Sequence, residues 1–291
     1  MSDPVARSIR PEVSLRIRGR QIRLGARTQI MGILNVTPDS FSDGGKHFSL
    51  DAAIRRGLQM VQEGADWIDV GGESTRPGAC EVDETEECRR VLPVVEALSG
   101  SCGAVISVDT QKVVVARQAL EHGACVINDV GAGQERSAMW KLVAETGAGY
   151  VAMHMQGKPS TMQLNPSYDD ACCDVDRFFE DRMKAMVEMG VHPDQIVLDV
   201  GIGFGKALEH NLRLLGGLRI FKHFRRPILV GVSRKSFIGL LTEAGVGDRL
   251  PGSLAAASWA VMEGAHILRV HDVAESVQAV RVVDAIALHA G

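Results

Sequence analysis

The stretch MGILNVTPDSFSDGG, residues 31–45, joins a short apolar run to a polar loop. Residues 30–34 have the length and composition of a strand that is buried on both faces. The loop that follows contains a proline, which cannot donate to a sheet, and two consecutive glycines, which favour turns. The stretch therefore predicts a buried strand with Asn35 at its carboxyl end, followed by a lid loop that carries Asp39 and Asp43.

The same alternation of strand and helix recurs along the chain. Apolar strand candidates span residues 30–36, 67–71, 104–110, 126–130, 150–155, 196–200, 228–233 and 267–270. Amphipathic helical spacing separates them, and Gly-Ala stands ahead of several strands, where glycine ends a helix in a left-handed cap. Eight such units predict an α/β fold, a (β/α)8 TIM barrel. A doubly wound sheet is the alternative, but no GxGxxG motif follows the first strand.

The segment ahead of this repeat has a different pattern. Residues 1–12 contain two prolines and few apolar side chains, and we expect them to form a disordered tail. Residues 13–24 alternate apolar and polar side chains around a turn at Gly19 and Arg20, which predicts an N-terminal β-hairpin. We therefore assign residues 13–291 to a single domain.

Composition excludes several classes of function. The chain has 291 residues, 45% of them hydrophobic, and a net charge of −4, which is not the basic balance of a nucleic-acid binder. It contains no apolar run long enough for a membrane span and no secretory leader. Its six cysteines form no CxxC pair and are typical of reduced intracellular thiols. These features predict a cytoplasmic protein that binds small molecules, with no nucleic-acid or membrane partner.

Polar or ionisable residues end every predicted strand, and a barrel enzyme places its site at the carboxyl ends of its strands. Asp109, Asn128 and Asp199 offer the carboxylate and amide groups that suit a flat heterocycle with an amino-pyrimidinone edge. A cationic set lies close by, and three of its members follow the last two strands, where barrels commonly bind phosphate: Arg76, Lys235, Arg269 and His271. Asn35, with the lid carboxylates, suits a magnesium ion.

Some of these residues have structural interpretations as well. Asp69, which precedes two glycines, is equally consistent with a structural role, and His154 with a satisfied core histidine. Arg269 is harder to explain in this way, because an arginine near the end of an apolar strand requires an anionic partner. The strand ends show no obvious Ser–His or Cys–His pair for covalent catalysis, so electrostatic stabilisation of a leaving group is the expected mechanism.

Several motifs at the strand ends resemble those of the dihydropteroate synthases. They are ILNVTPDSFSDGG (33–45), DVGGESTRPGA (69–79), HMQGKPSTMQ (154–163), GIGFGK (201–206), GVSRKSFIG (231–239) and LRVHDV (268–273). The resemblance runs from about residue 13 to the end of the chain. Two positions depart from the family pattern: Val200 replaces a usual proline, and Gly131 a common serine. Neither change removes a ligand side chain.

The resemblance implies an enzyme of folate synthesis, a sulfonamide target. It would join p-aminobenzoate to 6-hydroxymethyl-7,8-dihydropterin diphosphate and release pyrophosphate and 7,8-dihydropteroate. It implies the catalytic residues Asp43, Arg76, Lys235, Arg269 and His271. It also implies a pterin site at Asp109, Asn128, Asp199 and Lys235, a diphosphate site at Thr75, Arg76, Arg269 and His271, and a p-aminobenzoate site at Asp43, Phe204, Lys235 and Ser236.

The resemblance further implies Mg2+ at Asn35, as the cofactor, and a homodimer. Two other functions stay open. A pterin-barrel methyltetrahydrofolate methyltransferase would share the pterin floor but lack the diphosphate apparatus. A non-catalytic pterin-binding homologue would bind the heterocycle without releasing pyrophosphate.

Overall fold

Eight parallel strands close into a barrel in the computed structural model, which describes residues 9–37, 50–73, 82–132, 136–157 and 161–289. Strand β10 pairs with β3 and completes the ring, in the order β10-β3-β4-β5-β6-β7-β8-β9. The strands are β3 (Gln29–Asn35), β4 (Trp67–Gly71), β5 (Val105–Asp109), β6 (Val126–Asp129), β7 (Gly149–Met153), β8 (Ile196–Asp199), β9 (Ile228–Val230) and β10 (Ile267–Val270). The predicted TIM barrel is confirmed, because each candidate strand forms where the apolar run lies.

Helices cover the outside of the barrel and bury one face of every strand. They are α1 (Leu50–Gln62), α2 (Glu84–Ser101), α3 (Val113–Glu121), α4 (Arg136–Thr146), α5 (Ala171–Glu188), α6 (Leu208–Gly216), α7 (Ser236–Thr242), α8 (Leu250–Met262) and α9 (Val273–His289). Two begin at aspartate caps: Asp83 accepts from the backbone N–H of Glu86, and Asp170 from those of Cys172 and Cys173. The double burial explains why the strands are continuously apolar instead of alternating.

The predicted hairpin consists of β1 (Val13–Ile17) and β2 (Arg20–Leu24), and it closes the amino-terminal end of the barrel. Ile17 pairs with Arg20, so the two turn residues are Arg18 and Gly19, one position earlier than predicted. Both have positive φ, 45° and 78°, as a two-residue hairpin turn of this hand requires. The buried side chains of β1 pack against the inward-facing residues of the barrel strands.

The residues just before the hairpin are anchored to the last helix. Arg10 is buried and donates to the Gly25 carbonyl through Nε at 3.0 Å, and to Asp284 Oδ1 through Nη2 at 2.6 Å. The division into a tail, 1–12, and one domain, 13–291, stays a prediction. No helix in the described ranges is long and apolar enough to cross a membrane.

Candidate active site

The carboxyl ends of the strands surround a cavity of about 560 Å³. All the predicted site residues that fall in the described ranges line this cavity: Asn35, Asp109, Asn128, Asp199, Phe204, Lys235, Ser236, Arg269 and His271. The barrel brings them together because parallel strands end on the same rim. The predicted lid residues Asp39 and Asp43, and the predicted diphosphate residues Thr75 and Arg76, lie outside the described residues.

A buried charge network forms the floor of the cavity. Arg269 donates through Nε to Asp69 Oδ2 and through Nη2 to Asp109 Oδ2, each at 2.6 Å. Asn128 Nδ2 donates to the same oxygen of Asp69 at 2.8 Å. Asp69 is fully buried and does not line the cavity, so its structural interpretation holds: it orients Arg269 and Asn128 from below.

The anionic partner that Arg269 requires is thus supplied by the protein itself. Burial disfavours the charged guanidinium, but Asp69 and Asp109 outweigh this effect and raise the pKa of Arg269. Burial also raises the pKa of Asp109 to about 7, against the opposing effect of Arg269, and the charge of Asp69 adds to the rise. Two carboxylates therefore share one cation, and burial keeps the pKa of Asp109 well above its usual range.

A second buried carboxylate stands across the floor, at the end of β8. Asp199 is 6% exposed, and its Oδ1 accepts from the backbone N–H of Gly201 at 2.8 Å. Burial raises the pKa of Asp199. The Asp199 carboxylate has few hydrogen-bond donors within the protein, so it is suited to accept hydrogen bonds from the N–H and amino groups of a heterocycle.

One wall of the cavity combines an apolar cluster with a lysine. The cluster consists of Val130, Met153, Met162 and Phe204. The ammonium of Lys235 lies 4.0 Å from the centroid of the Phe204 ring, within the range of a cation–π contact. Burial, and then the charge of Arg269, lower the pKa of Lys235 to about 8. This wall offers a flat apolar surface beside a positive charge.

The opposite rim contains a contact that sequence reasoning missed. Ser233 Oγ lies 3.0 Å from His271 Nδ1, so a Ser–His pair is present after all. The backbone N–H of His271 donates to the same hydroxyl oxygen at 3.2 Å, which directs the hydroxyl hydrogen toward Nδ1. The pairing then leaves the proton of the neutral ring on Nε2, where it can donate to an anion. The two residues are separated by 38 positions, and only the adjacency of β9 and β10 brings them together.

Two further features near the cavity were not found from the sequence. Arg234 has a positive φ of 56° and pairs through both guanidinium arms with the carboxylate of Asp272, which links the loops after β9 and β10. Lys206 is 2% exposed and contacts His154, which is itself buried. A lysine inside a glycine-rich loop carries no local signal of burial, so spacing alone could not identify it.

The comparisons with known proteins all indicate one family. Residues 31–271 match the family described as pterin binding enzymes. The chain is 52% identical to the dihydropteroate synthase of Escherichia coli K12 over 256 residues, which cover 88% of this chain and 90% of that protein.

Solved structures of dihydropteroate synthases are also similar to this chain. The dihydropteroate synthase of Yersinia pestis in complex with a sulfonamide drug superposes with a TM-score of 0.88 and 48% identity, covering 94% of this chain and 98% of that one. That of Xanthomonas albilineans with 4-aminobenzoic acid gives a TM-score of 0.87 and 44% identity, with the same coverage of both chains.

Proposed function

The chain belongs to the dihydropteroate synthase family, and on that basis we propose that it joins p-aminobenzoate to 6-hydroxymethyl-7,8-dihydropterin diphosphate. The products are 7,8-dihydropteroate, an intermediate of folate synthesis, and pyrophosphate. One observation carries this conclusion. A single cavity holds buried hydrogen-bonding groups on its floor and cationic or N–H donating groups on its rim, which is what a pterin with a diphosphate requires.

The floor of the cavity suits the pterin ring. Asp109, Asn128 and Asp199 are each less than a tenth exposed, and all three line the cavity from neighbouring parts of the barrel. Paired hydrogen bonds that the amino and N–H groups of a pterin donate to a carboxylate are charge-assisted and directional. We assign the pterin to these three residues, with Lys235 above the ring.

The rim suits the diphosphate. His271 lines the cavity, and its Nδ1 lies 3.0 Å from the Ser233 hydroxyl, which leaves Nε2 to donate to a diphosphate oxygen. Thr75 and Arg76, which lie outside the described residues, stay proposed diphosphate ligands on the basis of the family motif. Arg269 contributes positive charge from below, but its guanidinium is already held by Asp69 and Asp109.

Enzymes of this family use a divalent metal cation. We propose that the cation is Mg2+ and that Asn35 is one of its ligands. Asn35 ends β3 and lines the cavity, and its amide oxygen is a donor of the kind that Mg2+ prefers. Among the described residues there is no cluster of three or more His, Cys, Asp or Glu side chains that would hold a metal. Water and phosphate oxygens would complete the coordination, and the bound ion would neutralise charge on the diphosphate.

The reaction then depends on positioning and electrostatics. The aromatic amine is a competent nucleophile without a strong base, and we propose that the C–O bond to the diphosphate breaks largely before the amine attacks. The Lys235 ammonium and the His271 N–H would stabilise the departing charge, while Phe204 and Ser236 shape the pocket of the amine. Asp43 and the lid would exclude water, which otherwise captures the cation.

The decisive test is formation of product by the purified chain. With both substrates and Mg2+ we expect equimolar release of pyrophosphate and 7,8-dihydropteroate, measured by phosphate-coupled absorbance and by chromatography. Chelation should abolish turnover and added Mg2+ restore it. Binding of the pterin without pyrophosphate release would instead indicate a non-catalytic pterin-binding protein, and would refute the proposal.

The order of bond breaking has its own test. We expect that 18O placed in the bridging oxygen of the pterin diphosphate scrambles into non-bridging positions when enzyme and Mg2+ are present without p-aminobenzoate. Absence of scrambling in bound substrate would favour a concerted displacement that needs the amine.

We also propose that the protein is a cytoplasmic homodimer. Helices α8 and α9 expose large apolar side chains, among them Trp259, Val282 and Ile286, each more than half exposed. An apolar face of this kind is suited to a second copy of the chain. Light scattering at micromolar concentration should give twice the chain mass, and a charged residue in place of Ile286 should reduce it to the monomer.

A further inference from the structure

Lys206 is a buried lysine that has no part in the proposed reaction and does not line the cavity. It ends the glycine-rich loop 201–206 that follows β8. Its Nζ lies 2.9 Å from His154 Nδ1, 3.2 Å from the His154 carbonyl oxygen and 3.0 Å from the Phe204 carbonyl oxygen. An ammonium has three N–H donors, and these contacts supply one acceptor for each of them.

The side chain of His154 is fixed as an acceptor. It is 7% exposed, and its ring lies edge-on to Phe178 at a centroid distance of 4.8 Å. Burial, followed by the charge of Lys206, lowers the pKa of His154 to about 2, so the imidazole is neutral. The contact with the Lys206 ammonium places the remaining ring proton on Nε2. His154 is therefore a rigid hydrogen-bond acceptor at the end of β7.

The glycine-rich loop packs with its backbone directly on the segment that follows β7. A Cβ on Gly201 would lie 1.9 Å from the His154 carbonyl oxygen, and one on Gly205 would lie 2.3 Å from that of Gln156. Tyr168 also donates its hydroxyl to the Gly205 carbonyl at 2.7 Å. Because the loop packs so closely on the segment after β7, a small displacement of Lys206 would also displace the other residues of the loop.

Phe204 is the residue of this loop that brings an aromatic ring to the cavity. Its carbonyl oxygen is held by Lys206, and its ring faces the Lys235 ammonium. The pterin-binding groups Asp109 and Asn128 belong instead to strands, whose hydrogen-bonded neighbours keep them in place. Asp199 ends β8, where Met153 is its strand partner, and it touches the loop only through the Gly201 N–H. Because Lys206 holds the Phe204 carbonyl directly, its loss would disturb the Phe204 wall more than the pterin floor.

We propose that Lys206 is a positioning residue, which clamps the 201–205 loop to the end of β7 and thereby sets Phe204 for binding of the aromatic amine. This rests on the proposed function, because it assigns the Phe204 wall to p-aminobenzoate. The clamp joins the Lys206 amino group, whose pKa burial lowers to about 7, to acceptors on two different loops, so it exists only in the folded barrel.

The test compares Lys206→Met with Lys222→Met. Lys222 is half-buried, less so than Lys206, and it likewise donates to a carbonyl, that of Ile9, but at the opposite end of the barrel. For Lys206→Met we expect the KM for p-aminobenzoate to rise at least about tenfold, since misplacement of a binding group by about an ångström is costly. The KM for the pterin diphosphate should change less than threefold. For Lys222→Met neither KM should change, even at a matched loss of thermal stability.

Tyr168→Phe provides a milder second variant in case Lys206→Met does not fold. It removes one hydrogen bond from the same loop, and it should raise the KM for p-aminobenzoate selectively by a few-fold. Equal changes in the two KM values, or no change in the folded variants, would overturn the role assigned to Lys206. Failure of the unmodified protein to form dihydropteroate would be seen first, and it would count against the proposed function instead.

Discussion

Replacement of Arg269 by methionine should destabilise the protein in a pH-dependent manner. Methionine keeps the apolar stem but removes the guanidinium that Asp69 and Asp109 share. The two carboxylates would then remain buried without this cation, and Asn128 would lose part of the network that orients it. We therefore expect an effect on folding as well as on catalysis.

The magnitude follows from the burial of the partners. Asp69 is fully buried and Asp109 is 9% exposed, so little water is available to replace the lost charge. Removing one partner of a buried ion pair costs about 3–5 kcal/mol. For a chain of this size that corresponds to a fall in Tm of roughly 10 °C.

The pH dependence has a definite sign. A carboxyl group with a folded pKa above its unfolded value binds more protons in the folded state, so its contribution to stability decreases as pH rises between the two values. Burial already raises the pKa of Asp109 to about 7, and loss of Arg269 would raise it further. The deficit of the variant relative to the unmodified protein should thus be larger at pH 8 than at pH 5.5.

Urea denaturation at the two pH values measures this deficit. Arg27→Met is the matched control, because Arg27 pairs with Asp66 while 60% of its side chain is exposed. Exposed pairs contribute less than about 1 kcal/mol, and the control should show no comparable pH dependence. A deficit for Arg269→Met below about 1 kcal/mol, or one that is equal at both pH values, would refute this account of the floor.

Three further predictions concern single residues. Asp199→Asn should weaken pterin binding at least about tenfold in calorimetry, because a charge-assisted hydrogen bond contributes about 1.5–3 kcal/mol; unchanged affinity in a folded variant would contradict the assignment. Gly201→Ala should cost several kcal/mol or prevent folding, since its Cβ would lie 1.9 Å from the His154 carbonyl oxygen. Gly157→Ala, at a φ of 78° and with no contact of its Cβ shorter than 3.4 Å, should cost only about 1–2 kcal/mol in denaturation. Burial lowers the pKa of His266 to about 4, so the folded state binds fewer protons than the unfolded state between about pH 4 and 6.5. The free energy of unfolding should therefore fall by about 3 kcal/mol as pH decreases through that range, and His266→Gln should remove this part of the pH dependence.

Local patterns were sufficient to predict the architecture. The bounds predicted for β4 and β10 agree with the structure, and the other strands differ by a few residues at their ends. The hairpin turn is displaced by one residue, because alternation sets the faces of a strand but not the position of the tight turn. Apolar periodicity repeats with every strand and helix, and it needs no knowledge of which strands are neighbours.

The chemical types present at the rim could also be read from the sequence, but their pairings could not. Arg269 was predicted to require an anion, and it lies against Asp69, 200 positions away in the chain. The Ser233–His271 contact and the Lys206–His154 clamp were missed for the same reason. By itself the sequence determined which side chains reach the carboxyl end of the barrel. Closure of the barrel alone decided which of these side chains pair with one another in hydrogen bonds and ion pairs, and which remain to bind a substrate. Burial and the distance between two side chains depend on how the strands assemble.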